Sequence, residues 1–295
     1  MALRIGINPL TWTNDDMPEL GGDTPLETCL AEAKLAGYDG VELGNKFPRR
    51  ALLLRPLLER HGLALVSGWY GSMLLAQTAQ EEIEAIEAHL DLLAALGCKV
   101  TVFAEVTGSV HGERGTKLSY RPRLWDDDWK RLGERMTEVA AHTLKFGVRL
   151  AYHHHMGTVV ETEEEIDRLM ASTGPEVGLL LDTGHLTYAG GDPVAMARRY
   201  GSRIAHVHCK DVRRDVLERA RTDDSSFLAA VLDGVFTVPG DGAVDFPSVL
   251  AALRAHGYGG WLVVEAEQNP AKAHPLTYAR MGHDYLRPLA QSLAL

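Results

Sequence analysis

Short apolar runs alternate with longer amphipathic stretches along the whole chain. The runs are LRIGINP (3–9), DGVELG (39–44), LALVSGWY (63–70), CKVTVFAE (98–105), VRLAYHHH (148–155), VGLLLD (177–182), RIAHVHCKD (203–211) and GWLVVEAE (260–267). Several are apolar at successive positions, the pattern of strands buried on both faces. Between them, residues 24–37, 78–97, 126–146, 161–173, 192–201, 246–257 and 271–290 repeat apolar positions at helical spacing. Two of these segments open on capping boxes: Thr24 with Glu27, Pro25 taking the first helical position, and Thr78 with Glu81. A glycine stands between several helices and the next strand, as in AGYDGVEL, LGCKVTVF and FGVRLAYH.

Eight such β/α units in 295 residues predict one (β/α)8 barrel, a TIM barrel, spanning 1–295. A doubly wound open sheet is the alternative. It loses ground because no GxGxxG or GxxxxGKS/T follows a strand, so the usual nucleotide sites of such sheets are missing. Two long connections, 106–125 and 212–245, follow the fourth and seventh strands. In a barrel they extend the C-terminal rim, where active sites lie.

A formal charge of −10 with no basic run disfavours nucleic acid as a partner. Cys29, Cys98 and Cys209 are scattered, with no CxxC pair, so neither a disulfide framework nor a thiolate zinc site is expected. The N-terminus lacks a signal-peptide pattern, and no apolar run approaches the roughly 20 residues that span a bilayer. A cytoplasmic protein is expected, without a membrane partner. A homo-oligomer is compatible with the sequence.

The strand ends carry the chemistry. Strands built of Leu, Val, Ile and Ala finish in Asn8, Glu42, Trp69, Glu105, His153 and His155, Asp182, His206 and His208 with Lys210 and Asp211, and Glu265 and Glu267. In a barrel these tips converge on one cavity. Buried acids without partners are costly, and a divalent cation is a common partner for acids mixed with imidazoles. Carboxylate and imidazole ligands suit Mn, Co, Mg or Zn. The triple histidine of LAYHHHMGT fits this picture, because strand alternation puts His153 and His155 on one face and His154 on the other. Asp182 also reads as a helix cap in LLLDTGH. EEIEAIEAH (81–89) reads as a solvated helix face, and DDDW (126–129) as a helix start. WTNDD (12–16) is either a substrate wall or a plain connection, and the rim loop GSVHGERG offers His111 and Arg114 as substrate contacts.

D-T-G-H, H-V-H-C-K-D and V-V-E at the strand tips resemble the xylose-isomerase-like barrels, which include sugar isomerases, epimerases, dehydratases and endonuclease IV. GINPLTWTNDDMPELGGDTPLE, GVELGNKFPR, LVSGWY, HHHMGT, LLLDTGH, HVHCKD, FTVPGDG and VVEAEQNPAKA, over about 5–286, resemble the inosose dehydratases within that superfamily. The resemblance implies a metal-dependent dehydratase of inositol catabolism that takes water from 2-keto-myo-inositol, with Mn or Co as the metal. It also implies glutathione as an associated cofactor, for which no residue here marks a site. The superfamily's metal ligands fall on Asp182, His208, Glu265 and the tip of strand five, where this chain has His153 in place of the usual Glu. Either His153 takes over as ligand, or three protein ligands are completed by water and substrate. His155, His185, Lys210 and Glu105 are the candidates for acid and base. Trp12, Trp69 and Tyr70 are candidate ring walls, and Glu267 is a candidate substrate contact or orienter of a ligand. A metal-dependent ketose isomerase or epimerase on the same barrel is the nearest alternative. A metal-dependent nuclease conflicts with the acidic balance, and an inactive sensor barrel would have no use for the proton-handling groups.

Overall fold

The computed structural model describes residues 3–293. Strands β1 (Arg4–Ile7), β2 (Gly40–Leu43), β3 (Ala64–Ser72), β4 (Val100–Glu105), β5 (Arg149–His153), β6 (Gly178–Asp182) and β7 (Ile204–Cys209) pair in parallel in chain order. A short antiparallel ribbon of β8 (Asp211–Val212) and β9 (Phe236–Thr237) intervenes on the rim. β10 (Trp261–Val264) then pairs with both β7 and β1, and the barrel closes. This is the expected (β/α)8 architecture. The outer layer and rim hold α1 (Leu26–Leu35), α2 (Ala51–His61), α3 (Ala79–Ala95), α4 (Asp126–Thr143), α5 (Glu163–Ser172), α6 (Thr183–Tyr188), α7 (Pro193–Tyr200), α8 (Arg214–Thr222), α9 (Phe227–Leu232), α10 (Phe246–Ala255) and α11 (Pro275–Leu293).

The strands face two ways. Their outer residues join the helices in one large core that includes Ile5, Ile7, Val41, Phe103, Leu150, Tyr152, Leu179 and Leu181. The inner residues make small clusters, Val66 with Trp261 and Val263, and Val102 with Ala151 and Leu180. Above those clusters the same inward rows continue into His153, Asp182 and Glu265, so the barrel interior turns from apolar to polar along its axis.

Two local expectations change. Residues 51–61 form a helix that the apolar pattern did not announce. Pro56 lies inside it, and Leu52 and Leu53 point to solvent at 77% and 50% exposure, which blurs the helical stripe. The Thr24–Glu27 capping box does not form: α1 begins at Leu26 with Pro25 as its cap, and no side chain caps it. The Thr78–Glu81 box is present in both directions. Thr78→Ala should therefore cost about 1 kcal/mol, read as a lower denaturant midpoint with unchanged slope.

The two rim connections fold into a roof. Residues 106–125 carry a single 3-10 turn at Leu118–Tyr120, and 212–245 hold α8, α9 and β9. Leu118, Met156, Tyr188, Phe227, Leu228, Phe236 and Met17, the last from the loop between β1 and α1, make a second apolar cluster, separate from the barrel core. Polar ties close it: Val110 N donates to Gly157 O at 2.9 Å, Ser226 Oγ to Arg114 O at 2.6 Å, and Ser119 Oγ to Asp224 Oδ2 at 2.6 Å. Arg114 also pairs with Glu19 of the loop between β1 and α1.

Candidate active site

A cavity of about 240 Å³ opens at the C-terminal ends of the strands, and Asn8, Glu42, Trp69, His153, His155, His208, Glu265 and Glu267 line it. The backbone fixes which imidazole nitrogen faces the cavity. His153 Nδ1 donates to His154 O at 2.6 Å and His155 Nδ1 to Met156 O at 2.8 Å, so each ring keeps a bare Nε2. His208 is held the other way round: its Nε2 lies 3.2 Å from Glu42 Oε1, which leaves Nδ1 3.1 Å from Glu265 Oε2 and 3.6 Å from Asp182 Oδ2. Glu42 is itself clamped by Ser67, His206 and Asn8, and Asn8 Nδ2 bridges Glu42 Oε2 (2.7 Å) and Glu265 Oε2 (2.8 Å).

His153, Asp182, His208 and Glu265 each offer one ligand atom within 4.8 Å of the others, all of them buried. Asp182 Oδ2 and His208 Nδ1 are buried with no hydrogen bond. Unsatisfied buried lone pairs converging on one point fit a cation. Two carboxylate oxygens with two imidazole nitrogens suit a borderline-to-hard divalent ion. Glu42 and Asn8 stand behind the ligands, where they orient His208 and Glu265.

A second constellation lies beside the first. Lys210 Nζ is 2.7 Å from Glu265 Oε1, 2.6 Å from Glu267 Oε1, 3.7 Å from Asp182 Oδ2 and 3.0 Å from His185 Nε2. The His155 and His185 rings pack with centroids 3.9 Å apart. Burial opposes the charge on Lys210, but Glu265 and Glu267 outweigh it and push its pKa up. Burial raises Glu267 to about 7, with Lys210 offsetting part of the rise. His155 and His185 are pushed well down by burial, with neighbouring imidazoles and the Lys210 ammonium adding to it, and so are neutral. Burial acts to raise Asp182, yet Lys210 and His208 bring it down to about 2.

The D-T-G-H stretch explains the assembly. Asp182 Oδ1 accepts from His185 N at 2.8 Å, so the aspartate caps α6 while its other oxygen faces the cluster. Thr183 Oγ1 brackets Lys210, accepting from its N (3.0 Å) and donating to its O (2.7 Å). His154 faces away from the cavity and receives Asp182 N at Nε2, 3.3 Å away.

The other candidates fall differently. Trp69 stands in the wall, its ring edge-on to His153 and His155. Trp12 does not: it is buried in the outer core, and its Nε1 donates to Glu32 Oε2 at 2.6 Å. Glu105 is also outside the cavity. Val102 faces inward, so Glu105, three positions on, faces outward, where it accepts from Leu75 N (3.3 Å) and Thr107 N (2.7 Å). Tyr70 stacks on Phe103 at the outer core. His111 lines the cavity, its ring centroid 5.2 Å from that of His155, whereas Arg114 is spent on Glu19.

Asp15, Asp16, Asn45 and Arg49 complete the wall. Asp15 and Asp16 bring the WTNDD loop to the cavity wall, and Asn45 and Arg49, within the GVELGNKFPR segment, join it without having been singled out as site residues. Asn45 N donates to Asp15 Oδ2 at 3.2 Å, yet burial still raises the Asp15 carboxyl to about 6. A carboxyl raised on folding binds its proton more tightly in the native state, so stability declines as pH rises from about 4 to 6. Asp15→Asn should flatten the melting temperature across that window, which thermal scans at each pH will check.

The family model described as a xylose isomerase-like TIM barrel matches residues 30–289. The chain is 56% identical over 290 residues to the rhizopine catabolism protein MocC of Rhizobium meliloti, covering 98% of this chain and 89% of that protein. It is 45% identical over 287 residues to the inosose dehydratase of Geobacillus thermodenitrificans, covering 97% and 96%. Among solved structures, the IOLI protein with a binding zinc atom aligns with a TM-score of 0.67 over 99% of both chains, at 16% identity, a likeness of fold. The chain belongs to the xylose isomerase-like TIM barrel family and groups within it with the inosose dehydratases, which are hydro-lyases.

Proposed function

We propose that the enzyme removes water from 2-keto-myo-inositol to give a trihydroxycyclohexanedione. The observation that carries this reading is the buried His153–Asp182–His208–Glu265 cluster set beside two cavity-facing proton carriers, His155 and Glu267. Mn or Co at the cluster would supply Lewis acidity toward the substrate's ketone and neighbouring hydroxyl oxygens.

The side chains divide the remaining work. His155, neutral and with Nδ1–H tied to Met156 O, presents the lone pair of Nε2 to the cavity and takes the proton α to the ketone. The electron pair left behind is held as an enediolate. Glu267, hydrogen-bonded to Lys210, protonates the departing β-hydroxyl. That hydroxyl leaves as water while the ring double bond forms. His155 then releases the captured proton and Glu267 regains one, so the cycle closes without redox change. Trp69 covers one face of the ring, and Asp15, Asn45 and Arg49 meet the remaining hydroxyls.

Metal-stripped protein reloaded with Mn or Co and given 2-keto-myo-inositol should lose substrate as the enolic dione's ultraviolet absorbance grows, and a chelator should abolish this. Running the assay with and without glutathione checks the second cofactor implied by the resemblance. Washing-in of solvent deuterium without dione would instead favour the isomerase or epimerase alternative. A different polyol substrate is a second reading, suggested by the 56% identical relative, which is named for rhizopine catabolism. The acidic balance supports a small-molecule partner over nucleic acid. Three free, buried cysteines suit a cytoplasmic setting, and no helix among the described residues is long and apolar enough to cross a membrane.

A further inference from the structure

Lys210 is fully buried, yet its ammonium lies within 2.7 Å of two carboxylates and 3.0 Å of an imidazole nitrogen. The fold makes room for it. A Cβ on Gly184 would fall 2.5 Å from Lys210 Cγ and 2.7 Å from Cδ, so only glycine leaves space for the stem. Thr183 clamps the Lys210 backbone from both sides, and the Phe236 ring lies 4.7 Å from Nζ.

Two of the groups at the ammonium belong to a further donor set: His185 and Glu267, together with His155, offer ligand atoms within 4.8 Å of one another. Glu265 is shared: Oε2 turns to His208 in the first cluster, and Oε1 turns to Lys210 in the second. A carboxylate placed between two cation positions is the arrangement of two-metal sites, whose ions sit about 3.5–4 Å apart. Here one of the two positions is filled by a side chain. We propose that Lys210 is the pocket's second cation, standing where a second divalent ion would bind between Glu265, Glu267 and His185, and that it holds the enzyme to one metal per chain. The inference rests on the reading of His153, Asp182, His208 and Glu265 as the first metal's ligands. A tethered ammonium repels a second cation and occupies its oxygens, and unlike an ion it cannot be lost by dissociation.

Metal stoichiometry tests this without reference to turnover. Wild-type protein, Lys210→Arg, Lys210→Gln and Lys210→Ala would be stripped, reloaded with excess Mn or Co, desalted and measured by elemental analysis, with calorimetric titration counting the sites. Wild type and Lys210→Arg should hold one ion per chain, and the two neutral variants should hold two. In the Mn-loaded neutral variants, spin coupling between paired ions should appear in the electron paramagnetic resonance spectrum. If Lys210→Ala loses its cooperative melting transition, Lys210→Gln, which keeps most of the stem, carries the test. Two ions in the wild type, or one ion in folded neutral variants, would overturn the inference while leaving the first metal site standing. Wild type that holds no ion would remove the first site and the inference together.

Discussion

His155→Asn should lose dehydration and solvent deuterium exchange together, each by about 10²–10⁴-fold, the usual worth of a positioned general base. The reason is geometric. His155 Nδ1–H is committed to Met156 O, so its free lone pair is at Nε2, on the cavity side. Asn keeps a polar group of smaller size but offers no base. Glu267→Gln should behave differently. The amide cannot protonate a leaving hydroxyl, but it leaves His155 intact, so deuterium should still enter the α-position while dione formation falls by a similar factor. Exchange by mass spectrometry and dione by absorbance separate the two steps on one sample. If exchange is lost in Glu267→Gln and kept in His155→Asn, the roles are reversed.

Asp182→Asn should lower kcat/KM by about 10³-fold, corresponding to several kcal/mol of lost transition-state stabilisation. Asn keeps an oxygen able to accept from His185 N, so the start of α6 should survive. What is lost is the charge of Oδ2, buried with no hydrogen bond and aimed at the cluster. The matching measurement is thermal: metal that binds only the native state raises the melting temperature of the wild type by mass action. That increment should shrink or vanish in Asp182→Asn. A variant that keeps both the metal-dependent increment and the activity would take Asp182 out of the ligand set.

How far the sequence can be read depends on whether the governing contact is local. The strands were legible because both-face burial writes uninterrupted apolar runs, and their polar ends stood out against that background. Strand alternation placed His153 with His155 and turned His154 away, and the barrel brought Asp182, His208 and Glu265 to the same point. The same alternation, carried from Val102 to Glu105, turns Glu105 away from the cavity, which tip position alone does not reveal. Trp12 is another matter. Its destination is set by Glu32, twenty positions away on α1, and an indole after a strand is equally suited to a wall or a core. Asn45 and Arg49 sit on a connection whose path the sequence pattern leaves open. The helix at 51–61 was hidden by its own exposed leucines.

The roof and the barrel are packed as two apolar bodies, one around Phe227 and Phe236 and the other between strands and helices. His153, Asp182 and His208 stand at the ends of barrel strands, Glu265 directly follows one, and His155 and Glu267 stand two and three residues past theirs, whereas His111, Asp15 and Asn45 reach the cavity from longer loops. Such a division lets descent with modification work on the two parts at different speeds. Changes at the loop positions that line the cavity reshape what ring is admitted at little risk to the scaffold, and the chemistry at the strand ends is inherited unchanged. A lineage built this way can move between related polyols by drifting in its loops, without having to reinvent its catalyst.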